Sequence, residues 1–277
     1  MNRKSSKTTM TEPQGIWVYA VAEAIPDGSL GELTGVSGGP VATLAAAGLT
    51  AVTEQVPLAE FGEDALHRNL EDMDWLEEKA RAHHRVIAAV AQLQPVVPMR
   101  LTTVYHSEAG VTELLAGRSR DFRALLDRIR ARQEWGVKAY AAPPPAAAEA
   151  AGQAAAPSSK AAGAGAAYLN RRRNERSAQE QSRQAAMTST ADIHDTLAGL
   201  AVAFRLHPPQ APQLHGNQQP MLLNAAYLMD DEQADDFAAV VRSLAADHPS
   251  VSLELTGPWP PYSFAELPEL SPAGGPA

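Results

Sequence analysis

The spacing of apolar residues predicts that the chain opens with strands. Residues 16–22 are apolar or aromatic on both faces of an extended segment, which predicts a strand covered on both sides near the centre of a sheet. Residues 41–46 and 49–56 are separated by Ala47-Gly48, a pair that predicts a hairpin turn. A β-hairpin is therefore expected to follow the first strand.

Helical spacing then takes over. From Leu66 to Val90 apolar residues recur every three or four positions, which predicts one amphipathic helical region, and Asp64 is placed to cap its start. Residues 96–97 predict a short strand, and a second helical stripe, interrupted near Gly117, follows it. Residues 135–140 return to an extended pattern. We assign all of these elements to one N-terminal domain that mixes strands and helices.

The second half of the chain predicts three more strands, at residues 202–206, 221–228 and 251–256. A long helix precedes the first of them, and a helix with an acidic start at Asp230-Asp231 lies between the second and the third. We expect the last strand to stop at Gly257, because the prolines that follow it lack a backbone donor.

Composition places a linker between the two halves. Residues 143–165 are nearly all Ala, Pro, Gly and Ser, which is typical of a linker. The fold class is therefore α+β in two domains, 15–142 and 166–266, and we expect tails 1–14 and 267–277 to be disordered. Each domain is expected to hold a mostly antiparallel or mixed sheet covered by helices, and ferredoxin-like variants are one such arrangement.

Composition also excludes some classes of function. The net charge of −9 argues against non-specific binding to nucleic acid, which requires a basic surface. The absence of cysteine excludes disulfides and thiolate chemistry. No apolar segment follows the basic residues of the first 14 positions as a secretory signal would require, so we expect a cytoplasmic protein with no membrane partner.

The glycine-rich turn at residues 35–39 formally matches the G-x-S-x-G motif of serine hydrolases, with Ser37 as the nucleophile. That chemistry requires a helix directly after the serine, whereas Pro40 and a predicted strand follow here. We therefore interpret the segment as a structural turn. Ser37 is then expected to tolerate replacement by alanine without loss of stability.

Cofactor and metal sites are also not indicated. Gly163-Ala164-Gly165 lacks the preceding strand and the third glycine of a dinucleotide loop. His83 and His84 are adjacent, so on a helix they point about 100° apart and chelate one metal poorly. We assign no catalytic, cofactor-binding or metal-binding residue and expect no cofactor and no small-molecule substrate.

The densest charge lies at the start of the long helix. Arginines at positions 171, 172, 173, 176 and 183 face only two glutamates, Glu175 and Glu180. A solvated helix face with i,i+4 ion pairs is one reading, and a docking surface for an acidic partner is the other. Under the second reading the partner-binding residues are Arg171, Arg172, Arg173 and Arg176.

Five short segments, taken in their order along the chain, resemble segments of the gas vesicle protein GvpF/GvpL family: residues 35–41, 96–100, 134–140, 223–228 and 255–264. Residues 168–173 (YLNRRR) also match a Tyr-Leu-x-Arg-Arg-Arg segment of that family. The resemblance spans roughly residues 15 to 265. The residues that carry it as a structural motif are Gly35, Gly38, Gly39, Pro40, Pro98, Arg100, Lys138, Tyr140, Asn224, Tyr227, Gly257, Pro258, Pro261, Tyr262 and Phe264.

The resemblance implies a non-enzymatic protein of gas vesicle assembly, or a minor structural protein, that binds the major gas vesicle shell protein. Other gas vesicle proteins are further expected partners, and the gas vesicle is the implied location. Two alternatives stay open on the residues alone: a generic interaction module with no link to gas vesicles, and a serine hydrolase.

The composition of the linker yields the first testable prediction. Limited proteolysis of the folded protein should cut first between about residues 141 and 165, because Ala, Pro and Gly offer few side chains that could pack. Mass spectrometry of the early fragments measures this. First cuts inside residues 16–22 or 221–228 would contradict it.

Overall fold

The structure is a computed structural model that describes residues 12–143, 164–210 and 219–267; the side chains of 164–167 and Arg171 are outside the description. The predicted linker and tails lie almost entirely outside these ranges. The described chain divides into two compact units. One runs up to Ala131 and resumes at Pro260, and the other is Arg132–Trp259.

The first unit is a sheet with helices. In chain order its elements are β1 (Gln14–Ala22), β2 (Ala42–Ala46), β3 (Leu49–Pro57), α1 (Leu58–Phe61), α2 (Glu63–Asn69), α3 (Met73–Ala91), β4 (Val97–Pro98), β5 (Val104–Tyr105), α4 (Glu108–Gly117) and α5 (Ser119–Ile129). Strand β1 lies between β3 and the short strand β4, β2 is the outer neighbour of β3, and β5 also pairs with β1. Every pair is antiparallel.

The two-sided apolar pattern of β1 is confirmed by its position. Every residue of β1 after Gln14 is buried, which requires cover on both faces of the sheet. The β2–β3 hairpin is also confirmed, and its turn places Ala47 and Gly48 at φ of 54° and 70°. Two left-handed residues give the turn the twist that joins antiparallel strands well.

The prediction of one helical region from Leu66 to Val90 is wrong in its continuity. The chain forms α2 and α3 with a break at Leu70–Asp72. Asp72 caps α3 by accepting from the N–H groups of Asp74 and Trp75, while Asp64 lies inside the first turn of α2 and is no cap. The apolar stripe keeps its phase across the break, so its period alone could not locate it.

The elements of the second unit are β6 (Arg132–Ala141), α6 (Ala164–Leu200), β7 (Ala203–Leu206), β8 (Met221–Asp230), a single 3₁₀ turn (Asp231–Gln233), α7 (Ala234–Asp247) and β9 (Val251–Trp259). The strands have the order β7-β8-β6-β9 in the sheet, with all neighbours antiparallel. With one helix after the first strand and one after the third, this β-α-β-β-α-β arrangement is the ferredoxin-like split βαβ topology.

The boundary between the units differs from the predicted one. Residues 132–141, placed above in the N-terminal domain, form β6, and β6 pairs with β8 and β9 at the centre of the second sheet. From Pro260 onward the described residues group with the first unit. Residues 143–165, with their linker composition, follow β6, the first strand of the second unit. The boundary between the two units lies before β6, so the boundary predicted from composition is one strand too late.

Strand β9 does not stop at Gly257 as predicted. It continues through Gly257-Pro258, whose peptide bond is cis, to Trp259. Two features allow this: β9 is an edge strand, and its register with β6 shifts between Glu134 and Gly136. A proline without an N–H is tolerated at an edge or a bulge.

Among the described residues, no helix is both long enough and apolar enough to cross a bilayer.

Candidate functional site

The glycine-rich turn of the first unit encloses a buried acid, and we call this group (Tyr19, residues 35–39 and Glu54) the glutamate cradle. Glu54 of β3 is only 1% exposed. One of its carboxylate oxygens accepts from Tyr19 Oη at 2.5 Å, and the other accepts from Ser37 Oγ at 2.6 Å and from Gly39 N at 2.9 Å. Tyr19 Oη in turn accepts from Val36 N at 2.8 Å. Burying a carboxyl group is costly unless donors surround it, and the turn supplies them.

The glycines of the cradle are required by space and by backbone conformation. A Cβ on Gly35 would lie 2.0 Å from Glu54 Oε2 and 2.3 Å from Tyr19 Oη. Gly38 has φ of 80°, a conformation that favours glycine. A Cβ on Gly39 would lie 3.0 Å from Glu54 Oε1, and Pro40 closes the turn by bridging to Thr34. The interpretation as a structural turn is consistent with this geometry.

Ser37 is neither a hydrolase nucleophile nor a position without contacts in the turn. Its hydroxyl donates to Glu54, and strand β2 rather than a helix follows the turn. Because alanine would remove this hydrogen bond, the structure leads us to expect a measurable loss of stability for Ser37→Ala, in place of the nearly unchanged stability expected from the sequence. Sequence reasoning missed Glu54, although a signal existed: it lies between Val52 and Val56 on the inward face of an apolar strand, where an acid needs donors.

A second polar chain leads from the cradle into the core. The ring of His83 on α3 stacks against Tyr19 with centroids 5.3 Å apart. Trp17 Nε1 donates to His83 Nδ1 at 3.0 Å, so His83 carries its proton on Nε2 and donates it to Met99 O at 3.1 Å. Burial lowers the pKa of His83 to about 4, which keeps the ring neutral at pH 7.

Two of the resemblance segments meet in the first unit. Pro98 of β4 lies opposite Ala20, and Tyr262 Oη contacts His84 Nδ1 at 2.9 Å. Pro261 and Phe264 are buried. The segments around Pro98 and Tyr262 line one cavity of about 370 Å³, to which Met99, Arg100, Tyr105 and Ala265 also contribute. Burial raises the pKa of Tyr105.

The resemblance residues of β6 and β9 contact the neighbouring strand in the second unit. Lys138 of β6 lies opposite Glu254 of β9, with Nζ and Oε1 3.6 Å apart, and Tyr140 Oη donates to the same carboxylate at 3.2 Å. Gly257, followed by Pro258, packs so closely on β6 that a Cβ there would lie 2.9 Å from Glu134 O.

The resemblance residues of β8 hold neighbouring segments. Asn224 Nδ2 donates to Pro208 O at 3.0 Å. The buried Tyr227 bonds His194 of α6 at 2.8 Å, and burial raises its pKa. These residues therefore hold the sheet, the chain after β7 and α6 in place.

The arginines of α6 are not gathered into a site. Arg172 lies against Tyr168 of its own helix, with Nε 3.2 Å from the hydroxyl and the guanidinium 5.8 Å from the ring centroid. Arg173 and Arg176 are exposed, and the Arg171 side chain lies outside the description. The described arginines therefore form an exposed surface.

The two units together define a class of protein: a two-unit α+β protein whose polar groups maintain its fold. Within the described ranges no three side chains of His, Asp or Glu lie together as a metal site would require. Ser37 donates to the buried Glu54, and the buried His83 is bonded to Trp17 and Met99.

Comparison with known proteins specifies the family. The model of the gas vesicle synthesis protein GvpL/GvpF family matches residues 15–266, so the chain belongs to that family. Gas vesicle protein L of a Streptomyces species is 40% identical over 254 residues, which cover 91% of this chain and 93% of that protein. Gas vesicle protein F1 of Halobacterium salinarum is 22% identical over 199 residues, covering 71% and 73%.

Solved structures of two relatives show the same fold. The crystal structure of GvpF from Anabaena sp. PCC7120 superposes with a TM-score of 0.61 at 21% identity, covering 92% of this chain and 98% of that one. GvpF from Microcystis aeruginosa gives 0.61 at 18% identity, covering 91% and 99%. The resemblance drawn from the short segments is therefore confirmed, as is the α+β class.

The cradle predicts unequal effects of two small substitutions. Gly35→Ala should lower the free energy of unfolding by about 2–4 kcal/mol, because the new Cβ displaces the Glu54 carboxylate or the turn. Ser37→Ala should cost about 1 kcal/mol through one lost hydrogen bond. Denaturant unfolding measures both. Gly117→Ala is the control, since a Cβ there meets nothing within 4 Å, and an equal midpoint for Gly35→Ala and wild type would contradict the prediction.

The neutral His83 predicts a loss of stability in acid. The unfolded chain binds a proton at this residue below about pH 6.5, whereas the folded chain does so only below about pH 4. The free energy of unfolding should therefore fall as pH drops from about 6.5 to 4, by a total on the order of 3 kcal/mol from this group. His83→Gln should flatten that part of the stability curve. Gly117→Ala, a control that changes no titratable group, should keep the slope, and a slope unchanged in His83→Gln would contradict the assignment.

Proposed function

We propose that this chain is an accessory protein of gas vesicle formation that binds the major shell protein and acts at the gas vesicle without catalysing a reaction. Membership of the GvpL/GvpF family supports the gas vesicle role. The observation that carries the proposal of binding is the N-terminal half of α6, which extends with no described residue of the chain packed against it.

The packing of α6 changes abruptly along its length. Among the side chains described in α6, the first buried one is that of Ala186, and Thr190, Ile193 and Leu197 then form the stripe that lies on the sheet. Of the side chains described between 168 and 185, all are exposed except the half-buried Ser182. The helical segment before Ala186 is roughly 33 Å long at 1.5 Å per residue. A helix of this kind gains little stability from propensity alone, and a partner would supply the missing packing.

The exposed half of α6 carries both apolar area and positive charge. Tyr168 is 53% exposed and Leu169 is 67% exposed. Arg172, Arg173 and Arg176 follow on the next turns. Such a surface fits a partner that offers apolar contact beside acidic side chains, because aromatic and arginine residues dominate binding energy at protein interfaces. The excess positive charge is local, since the whole chain has a net charge of −9.

A shell built from small apolar subunits has a need that this surface meets. Such subunits expose apolar area and strand edges before they assemble, and these surfaces aggregate unless another protein covers them. Docking of a helix against an apolar groove is one established way to do so. The acidic partner side chains would add attraction over roughly 8 Å at physiological salt.

Charge reversal on α6 tests the proposed contact. A variant with Arg172→Glu, Arg173→Glu and Arg176→Glu should bind the major shell protein about tenfold or more weakly, and its binding should depend less on salt. Isothermal titration at low and high salt measures this. The fold should survive because these side chains face solvent.

The matched control carries the same change of charge elsewhere. Arg68→Glu, Arg120→Glu and Arg242→Glu alter three exposed arginines outside α6, and this variant should bind as wild type does. Equal loss of binding in both variants would reduce the effect to overall charge. Unchanged binding in the α6 variant would remove α6 as the contact.

A further inference from the structure

The edge strand β7 of the second unit is short and apolar. Among the strands of the described residues it pairs with β8 alone, at the end of the sheet order β7-β8-β6-β9. Val202, which directly precedes β7, and Phe204 and Leu206 within it are 44%, 48% and 55% exposed. Residues two apart in a strand share a face, so these three side chains form one apolar row. Natural edge strands usually avoid such a row, since it favours pairing with another strand.

The backbone of β7 is oriented for such pairing. The N–H of His207 donates to Asn224 O on β8, and in an antiparallel ladder the same inward orientation recurs at Arg205. The N–H and C=O groups of Phe204 and Leu206 therefore point away from β8, toward the outer edge. The N–H of Val202, directly before β7, donates to Leu228 O on β8, so the outward donors of this segment are those of Phe204 and Leu206. The Phe204 side chain is held by an edge-to-face contact with His194 of α6, with ring centroids 4.8 Å apart.

We propose that β7 pairs antiparallel with β7 of a second copy of this chain, with Phe204 on the two-fold axis. The two Phe204 residues then exchange both of their outward N–H···O bonds. Val202 lies opposite Leu206 of the second copy, so the apolar rows of the two chains form one ladder. The two four-stranded sheets become one sheet of eight strands, and each β7 edge is covered by the β7 of the other copy.

The charge of Arg205 and the position of Pro208 favour this register over those with the two-fold axis one or two residues further along β7. A two-fold axis at Arg205 would place two guanidinium groups directly opposite each other, which is unfavourable. With the axis at Phe204, Arg205 lies opposite Ala203. An axis at Leu206 would place Phe204 opposite Pro208, which cannot donate to a ladder. The proposed register is thus the one that uses the whole strand without a like-charge pair.

The short length of β7 limits the expected affinity between the two copies. Four strand residues on each chain bury less area than a permanent dimer needs, so we expect reversible association in the micromolar range. This inference goes beyond the proposed function and concerns the purified chain alone, so its test needs no shell protein.

Single cysteines read out the register, because the native chain contains none. Under mild oxidation Phe204→Cys should form a disulfide-linked dimer, since directly hydrogen-bonded residues have Cα atoms about 5.5 Å apart. Val202→Cys and Leu206→Cys are the matched controls. Each lies about 14 Å along the strands from its own copy in this register, too far for a disulfide, and should remain monomeric on a non-reducing gel.

Sedimentation velocity over micromolar concentrations measures the association itself. Wild type should shift toward dimer with concentration, whereas Phe204→Lys and Leu206→Lys should stay monomeric with an unchanged circular dichroism spectrum. Leu206→Lys leaves the Phe204–His194 contact intact, so it still tests the edge if Phe204→Lys fails to fold. Trp259→Lys on the opposite edge strand, β9, should dimerise as wild type does.

Three outcomes would overturn the proposal. Wild type could stay monomeric while Phe204→Cys does not cross-link. The cross-link could form equally at positions 202, 204 and 206, which would indicate random collision. Finally, Phe204→Lys and Leu206→Lys could both dimerise as wild type does, which would place the contact between copies elsewhere on the chain.

Discussion

The first unit depends on one buried acid. Without donors, the Glu54 carboxylate would cost several kcal/mol to bury, so the glycine-rich turn that surrounds it and the strand that carries it are stabilised together. Tyr19 extends this bonding from Glu54 to Val36, and its ring stacks on His83. A turn, the central strand and α3 are therefore held by one connected set of polar and ring contacts, and a change at any member is transmitted to the others.

The sequence predicted local structure well and non-local pairing poorly. The two-sided apolar pattern of β1 and the Ala47-Gly48 hairpin are properties of neighbouring residues, and both were found. The membership of residues 132–141 depends on pairing with β8 and β9, whose partner residues all lie more than 80 positions away, so no local period could reveal it. The break at Leu70–Asp72 was hidden because the apolar stripe continues in phase across it.

The candidate site shows the same limit. The glycine turn could be recognised from its spacing, and its rejection as a hydrolase motif rested on the strand that follows. What the turn does could not be derived, because the acid it encloses belongs to the hairpin strand β3 and is brought there by the fold. The arginines of α6 were visible in the sequence, but only the structure shows that their half of the helix lacks packing against the described chain.

The reactive side chains of the first unit serve its core. An enzyme needs reactive groups that are accessible in a pocket and aligned with one another. Here the groups with such chemistry are used inside the core: Glu54 accepts from the turn, and His83 is fully engaged between Trp17 and Met99. The surface instead offers an unpacked, positively charged helix and an apolar strand edge. Under the two proposals made above, the first surface would attract an acidic partner through salt-sensitive contacts, and the second would pair backbone with backbone. The chain would then use one surface for a foreign subunit and another for a second copy of itself.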